Sequence, residues 1–362
     1  MEPKLIILKP AELILKGAPV RARFEAQLIR NIKAVTTKRI ERTRARILVH
    51  AGKKEIPALK RVLGIITLSP AVEIKTNLNT IQNTALKLAK LDKTKSFAVR
   101  AKRVTKEFNF TSQQINEKVG AFVQKKTKAK VNLNNPDITI YIEVLGKRTF
   151  IFTEVIRGYG GLPVGTQGKV VCLMSGGMDS PVAAWMMLKR GCEIIPLHLR
   201  VSEKEYSKFL QLIKQLQKFS AGHKLKPNII NWKPVLNKLT NKLHKQNKLS
   251  WTCVFCKHQM LLEAEKLANK EKAKAVVIGS SLGQVASQTL ENIAVTHSGI
   301  EMPILTPLIG FNKDETEKIA REIGTYDISA KGAGKAVCPF LPDKPCTAAQ
   351  PERFKQIKKN LK

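Results

Sequence analysis

VVCLMSGGMDSP, residues 170–181, governs the reading of the whole chain. A continuous apolar run, the pattern of a strand buried on both faces, stops at two glycines. Ser180 and Pro181 follow, residue types suited to capping a helix and occupying its first turn. Glycine allows close backbone approach, and the first N–H groups of a helix have no partner within it. Such a turn is therefore an anion site by construction. Asp179 lies inside it, placed to hold Mg²⁺ between phosphates. A plain strand-to-helix turn is the bland alternative, but the density of small and hydroxyl residues around an Asp argues for phosphate. EIIPLHL (193–199) and KAVVIGS (274–280) read as further buried strands. FNKDETEKIAREIG (311–324) reads as a bounded helix, with Asn312 as N-cap, Glu315 closing a capping box and Gly324 at the stop. Strand, turn, helix, strand at these spacings predicts a doubly wound parallel α/β sheet from residue 170 onward.

The chain before it has another texture. KLIILKPAELILKG (4–17) reads as a strand, and RARFEAQLIRNIKAV (21–35) as a helix with Phe24, Leu28, Ile32 and Val35 in phase. ARILVH (45–50) is a strand, and IPALKRVLGIITLSP (56–70) a short helix ending near Gly64 and feeding a strand. Residues 1–75 thus read as a small α+β domain. In residues 76–157, TIQNTALKLAKL (80–91) and SQQINEKVGAFVQKKTKAK (112–130) read as helices, and SFAVRAKRV (96–104) and DITIYIEVLG (137–146) alternate as strands. Arg100, Lys102 and Arg103 of the basic strand and Lys125 and Lys126 of the helix end are the candidate RNA contacts, expected on one surface; an ordinary solvated face is the plainer account. RGYGGLPVGTQGK (157–169) is glycine-rich and reads as a linker over 158–169. It lacks both G-x-x-x-x-G-K-[ST] and G-x-G-x-x-G, which argues against a phosphate loop. The catalytic segment is then 170–362.

With 362 residues, two or three domains are expected. No stretch approaches a membrane span and the N-terminus lacks the order of a signal peptide, so the expected location is the cytoplasm. Sixty-four Lys+Arg against 28 Asp+Glu gives a net charge of +36, spread from end to end. A Lys-rich, salt-loving or heat-loving host would also produce it, but a field of this sign finds polyanions. Aromatics make up 6%, too few for a base-stacking platform, so the expected partner is the backbone of a folded RNA.

WTCVFCKHQM (251–260) puts Cys253 and Cys256 three positions apart. Six cysteines, unevenly spaced, do not make a disulfide scaffold, which leaves a metal pair or a redox dithiol. Cys172 and Cys192 fall in predicted strands and read as core.

Ser175-Gly176-Gly177-Met178-Asp179-Ser180 resembles the PP-loop of ATP pyrophosphatases. GSSLGQVASQTLENI (279–293), PLIGFNKDETEKIAREIGTYDIS (307–329) and FTEVIRGYGGLPVGTQGK (152–169) resemble the tRNA 4-thiouridine synthetase family (ThiI). LKGAPVRARFEAQLIRNIK (15–33) is similar to that family's ferredoxin-like domain, and the middle segment to its THUMP domain, an RNA-binding module. The resemblance implies a multidomain α/β enzyme: ferredoxin-like and THUMP domains, then a PP-loop ATP pyrophosphatase domain. It implies ATP-dependent replacement of a uridine O4 by sulfur at position 8 of tRNA, through adenylation of that oxygen, with ATP and Mg²⁺ required.

By the same resemblance the ATP site comprises Leu173, Met174, Ser175, Gly176, Gly177, Asp179, Ser180, His198, Leu199, Lys257, Gly279 and Gln288. Taken without the family, His198 would read as a satisfied core histidine. Catalysis falls to Asp179, Cys253, Cys256 and Cys338, the last in GKAVCPFLPDKP (334–345). Shorter, archaeal-type members share these three cysteines, and three thiolates around an iron–sulfur cluster leave one iron free to hold a sulfide. Zinc completed by Cys346 or His258, a persulfide relay and inert buried thiols remain alternatives. The sulfur donor is then inorganic sulfide or a cysteine-desulfurase-type carrier, and a homodimer is the arrangement the family suggests. Three departures stand out. Ala11-Glu12 replaces Gly-Glu, and Ile278-Gly279-Ser280 replaces Thr-Gly-Glu, removing a carboxylate. The rhodanese-like extension of many bacterial members is not expected after Lys362, where QPERFKQIKKNLK reads as a basic tail, and with it goes any link to thiazole synthesis. The rival readings are a 2-thiouridine-type PP-loop thiolase and a non-catalytic tRNA-binding protein.

Overall fold

Leu5, Ile6, Ile7 and Leu8 are all buried because β1 (Leu5–Pro10) is an interior strand with side chains packed on both faces. The computed structural model describes residues 2–11, 17–43, 46–331 and 338–361, so Glu12 and the rest of the predicted strand to residue 16, with Ala45, lie outside the described residues. The chain divides into two units, Met1–Leu162 and Pro163–Lys362.

In the first unit, β1 is followed by α1 (Ala18–Lys33), β2 (Ile40–Thr43), β3 (Arg46–Val49), α2 (Ile56–Lys60) and β4 (Ile65–Lys75). Then come α3 (Leu78–Ala89), β5 (Ser96–Arg103), α4 (Ser112–Thr127), β6 (Lys130–Val131), β7 (Ile138–Leu145), β8 (Arg148–Phe152) and β9 (Ile156–Arg157). The strands form one sheet in the order β2-β3-β1-β4-β8-β7-β5-β6, with β9 beside β4. The predicted helical face of α1 is the buried one: Phe24, Leu28 and Ile32 are in the core with Val35 packed against them. Ile140, Ile142 and Val144 are buried as their alternation predicts, against Ile115, Val119 and Val123 of α4.

Strand β4 takes two different partners along its length. Its residues 65–71 pair with β1 and residues 72–75 with β8, so the ferredoxin-like and THUMP portions share one sheet. Side chains cross the same junction. Glu143 of β7 is buried on the face that alternation assigns to solvent, and it accepts from Lys9 Nζ at 2.9 Å and Arg46 Nε at 3.0 Å. Burial works to raise its pKa, but hydrogen bonds from Arg46 and Lys9 outweigh that and hold it below its ordinary value. Glu143→Gln is expected to destabilise this unit by about 3 kcal/mol, the low end for breaking a buried pair since Lys9 is partly solvated. A carboxylate held below its unfolded value stabilises fully above that value and less as pH falls through the folded one. The gap between wild type and variant in urea unfolding should therefore be full at neutral pH and shrink below pH 4.5. A gap that persists unchanged at low pH would show that the ion pairs are not its source.

The second unit contains β10 (Lys169–Leu173), α5 (Asp179–Lys189), β11 (Glu193–Arg200), α6 (Glu203–Gln217), β12 (Asn228–Asn231), α7 (Lys233–Lys245) and α8 (Thr252–Lys270). β13 (Val276–Val277), α9 (Leu290–His297), β14 (Ile304–Leu305), α10 (Lys313–Ile323), α11 (Tyr326–Ala330) and α12 (Pro351–Lys359) complete it. All pairings are parallel, in the order β12-β11-β10-β13-β14. This is the doubly wound sheet expected, and its strand order reverses between β10 and β13. The crevice at the carboxyl ends of those two strands is where such folds bind ligands.

Helix α10 has the predicted ends: Asn312 and Glu315 form the capping box and Gly324 is left-handed at φ 73°. Three expectations are corrected. Ser180 does not cap α5; it lies inside the helix, and its Oγ accepts from Ser175 N at 3.0 Å, bracing the loop instead. The supposed basic tail contains α12, whose Phe354 and Ile357 enter the same apolar core as Trp251 and Phe255. Cys172 is in β10 as predicted, but Cys192 precedes β11 by one residue, though it too is buried. The glycine-rich stretch is divided: Leu162 packs in the first unit's core, while Gly165, Thr166 and Gln167 donate to Gly191 O in the second.

Candidate functional site

At the end of β10, Met174 N donates to Leu197 O at 2.8 Å, and Met174 O accepts from His198 Nδ1 at 2.9 Å. These bonds fix where the strand stops and the loop begins. Within the loop Gly177 N donates to Ser175 Oγ at 3.2 Å, and the Ser175 and Ser180 hydroxyls are 3.3 Å apart. Two side chains thus fold the loop back on itself ahead of α5, whose first N–H groups have no acceptor inside the helix. Across the reversal point, a Cβ on Gly279 would stand 2.8 Å from Asp179 C and Ser180 N. Only glycine permits the backbone leaving β13 to lie this close to the start of α5.

A cavity of about 410 Å³ opens at this point. Leu173, Met174, Ser175, Gly177, Asp179, Ser180, His198, Leu199, Lys257, Gly279 and Gln288 all line it; of the sequence-predicted set only Gly176 is off the wall, packed toward Glu205 of α6. Burial pushes the Asp179 carboxyl above its ordinary range, opposed by a hydrogen bond from Gln284 and the charge of Lys313. Lys257 Nζ donates to Ser280 Oγ at 2.9 Å, the position where the resemblance expected a carboxylate. Burial without that counter-charge lowers its pKa to about 8, the condition of an amine that an anion in the cavity would stabilise. Burial lowers the pKa of His198, its ring lies on Phe209 at 4.5 Å, and its Nε2 has no partner among the described residues. Gln288 Oε1 is likewise buried and unpartnered among them. Two polar atoms without protein partners beside an apolar wall fit a heteroaromatic base with its own donors and acceptors.

Cys253, Cys256 and Cys338 line the same cavity. The first two are spaced i, i+3 on α8 and so share a face. Trp232 Nε1–H donates to Cys256 Sγ at 3.5 Å, a contact that nothing in the local sequence announced. Burial pushes the Cys256 thiol up to about 12 and raises that of Cys253, where the neighbouring Cys338 adds to it. Among the described residues no group of three or more His, Cys, Asp or Glu converges on one metal-ion position. A mononuclear ion requires such convergence, whereas a cluster takes each thiolate on a separate iron and fits thiols that share a wall. The zinc alternative loses one of its fourth ligands. His258 is buried with Nδ1 donating to Thr296 O at 3.0 Å and Nε2 accepting from Lys358 Nζ at 2.9 Å, so both ring nitrogens are engaged. Cys346 is off the cavity wall, packed against the apolar core. Residues 334–337 of the predicted Cys338 motif lie outside the described residues.

The basic residues of the first unit are less clustered than expected. Arg103 N donates to Ser112 Oγ at the start of α4, and Lys125 and Lys126 lie in its last turn. About 20 Å of helix separates Ser112, beside Arg103, from Lys125. Arg100 and Arg103 each spend a donor on a loop carbonyl, Leu133 O and Phe108 O. Lys102 and Arg103 line an open cleft with Arg46 and Lys106, two residues that periodicity did not single out.

A loop braced by hydroxyls at the reversal point of a parallel sheet, facing a buried lysine, defines a nucleotide-binding α/β protein of the PP-loop kind. A family model described as thiamine biosynthesis protein (ThiI) matches residues 165–362, one for the THUMP domain matches 75–154, and one for the ThiI ferredoxin-like domain matches 5–69. The chain belongs to this ThiI family of tRNA sulfurtransferases. A relative from Methanocaldococcus jannaschii, described as "Probable tRNA sulfurtransferase", is 41% identical over 99% of this chain and 97% of its own length. One from Thermococcus kodakarensis, described in the same words, is 39% identical over 98% and 96%. A solved 4-thiouridine synthetase, in complex with RNA and with bound ATP, is 33% identical and superposes with a TM-score of 0.90 over 99% of this chain and 95% of that one.

Proposed function

We propose that this chain is an ATP-dependent tRNA sulfurtransferase that converts uridine at position 8 of tRNA to 4-thiouridine. The observation that carries this reading is that one cavity holds both the phosphate-type loop and three cysteines. Uridine O4 is too poor a leaving group for sulfur to displace directly. Adenylation attaches O4 to the α-phosphate of ATP and expels pyrophosphate; sulfur then bonds to C4 and the C4–O4 bond breaks, releasing AMP. The loop N–H groups and Lys257 bind the phosphates and offset charge as pyrophosphate leaves. Asp179 would hold Mg²⁺ there. Leu173, Met174, His198, Leu199 and Gln288 surround the base. Cys253, Cys256 and Cys338 would hold an iron–sulfur cluster, which supplies an iron site able to carry sulfide. Residues 1–75 and 76–157 bind tRNA through backbone charge, with Arg100, Lys102, Arg103, Lys125 and Lys126 among the contacts, and 158–169 joins them to the catalytic 170–362. The relative solved with RNA and ATP supports this assignment of substrates. Inorganic sulfide or a cysteine-desulfurase-type carrier donates the sulfur, and the protein works as a homodimer in the cytoplasm; no described helix is long and apolar enough to cross a membrane.

The test is incubation with unmodified tRNA, ATP, Mg²⁺ and sulfide under anaerobic conditions, following AMP, pyrophosphate and the modified nucleoside. The expected result is equal amounts of AMP and 4-thiouridine at position 8. Sulfur at C2 of a uridine would identify a 2-thiouridine-type enzyme, and release of neither AMP nor pyrophosphate an idle RNA-binding protein.

A further inference from the structure

Asn292, in the first turn of α9, is fully buried, and every hydrogen bond of its amide leaves the helix. Its Nδ2 donates to Ala286 O at 2.6 Å and to Cys346 O at 2.8 Å, and its Oδ1 accepts from Ala349 N at 3.1 Å. Ala286 opens the short turn whose next two residues, Ser287 and Gln288, line the cavity. Cys346 and Ala349 belong to the segment that carries Cys338 away from the same cavity. That segment is gripped twice more: Thr289 Oγ1 donates to Thr347 O at 2.7 Å, and Cys346 N donates to Ser250 O at 2.8 Å, just ahead of the helix bearing Cys253 and Cys256. Between this anchor and the turn closed by Leu341 N to Cys338 O lie four residues, Pro342 to Pro345, two of them prolines with fixed φ.

We propose that Asn292 is a positioning residue that registers the Cys338 segment against the nucleotide-lining turn, so that the third thiol is held at a set distance from the base-binding wall. A side-chain amide suits this task. It satisfies two carbonyls and one N–H of chain segments that have no partners in a helix or sheet, and each would cost free energy if left buried and unpaired. The four-residue connection, two of its residues prolines, spans at most about 14 Å and so tethers Cys338 to that anchor. Because the amide's hydrogen bonds all go to backbone groups and none to a cavity-lining side chain, its loss affects sulfur delivery more than phosphate chemistry.

The proposal rests on Cys338 serving sulfur transfer, and the experiment separates the two. Asn292→Ala and a two-glycine insertion between Asp343 and Lys344 are compared with wild type and Cys338→Ala. The insertion leaves Asn292 and the core untouched and lies at exposed residues, so it folds even if Asn292→Ala does not. Three quantities are read: pyrophosphate release with tRNA, 4-thiouridine formed, and the rates at which iodoacetamide labels Cys338 and Cys253 in the aerobically isolated protein. For both variants, thiolation is expected to fall about 10- to 100-fold, the usual effect of displacing a reacting group by an ångström. Pyrophosphate release should hold, and the labelling rate should change several-fold at Cys338, which is exposed, but not at Cys253. Equal loss of both reactions with changed labelling at both cysteines would mark Asn292 as a general structural residue and overturn the proposal, as would no change in labelling at Cys338. Undiminished thiolation by Cys338→Ala would instead refute the role of that thiol, while the labelling difference would still report on the anchor.

Discussion

Asp179→Ala is expected to lower tRNA adenylation by about 10³-fold, the scale of losing a single electrostatic element that acts where transition-state charge develops. The carboxylate sits at the first residue of α5, beside a backbone crossing that Gly279 keeps closed to any side chain. Asp179 would hold Mg²⁺ there, a charge that offsets phosphate charge as pyrophosphate leaves. Neither Gln284 nor Lys313, its neighbours, can take over that task. RNA affinity should be unchanged at fixed salt, because it comes from phosphate contacts made by cations, and the substitution removes an acid. Pyrophosphate release with tRNA and a binding titration on the same protein measure the two. If binding falls along with adenylation, tRNA recognition is not separable from the catalytic crevice.

Cys338→Ala is expected to abolish 4-thiouridine formation while leaving adenylation in place. The environment of the thiols explains why a metal group is the better partner for them. Cys256 is pushed up to about 12 and Cys253 is raised, both chiefly by burial, so at neutral pH they are protonated and poor nucleophiles. A bound cation reverses this, since coordination takes the proton off the thiol. The Trp232 N–H directed at Cys256 Sγ likewise favours the thiolate. After anaerobic purification, wild type should contain several irons with matching acid-labile sulfide per chain, and the variant should lose them. Wild-type protein without iron, even after anaerobic reconstitution, would eliminate the cluster, and a persulfide on Cys253 or Cys256 would be the species to seek by mass spectrometry.

Much of this protein is legible in its local sequence. The PP-loop is recognisable because its chemistry needs small residues, hydroxyls and one acid in consecutive positions after a buried strand. Helix α10 is bounded by residues three or four positions from what they cap, and α1 shows its buried face through period alone. The cysteine pair, its lysine and the third cysteine were identifiable as residue types at set places, and the described structure brings all of them to one cavity.

What the tertiary structure decided is everything whose partner is distant in sequence. Helix α12 contributes few apolar residues, and its basic composition describes a tail; Phe354 lying at 4.6 Å on Phe255 makes it core. Glu143 reads as solvent-facing until Lys9 and Arg46 reach it from strands far earlier in the chain. That β4 pairs with β1 along residues 65–71 and with β8 along 72–75 was not legible either, because strand pairing depends on which chain lies alongside. Asn292 gave no signal at all, since a side-chain amide means nothing until three backbone groups converge on it. Sequence therefore determined the chemical groups, the local turns that present them and the class of sheet that carries them, since these follow from short-range sterics and hydrogen bonding. Which groups face one another, and which polar atoms are withdrawn from water, was set by packing between segments far apart in the chain, where burial and pairing energies outweigh local preference.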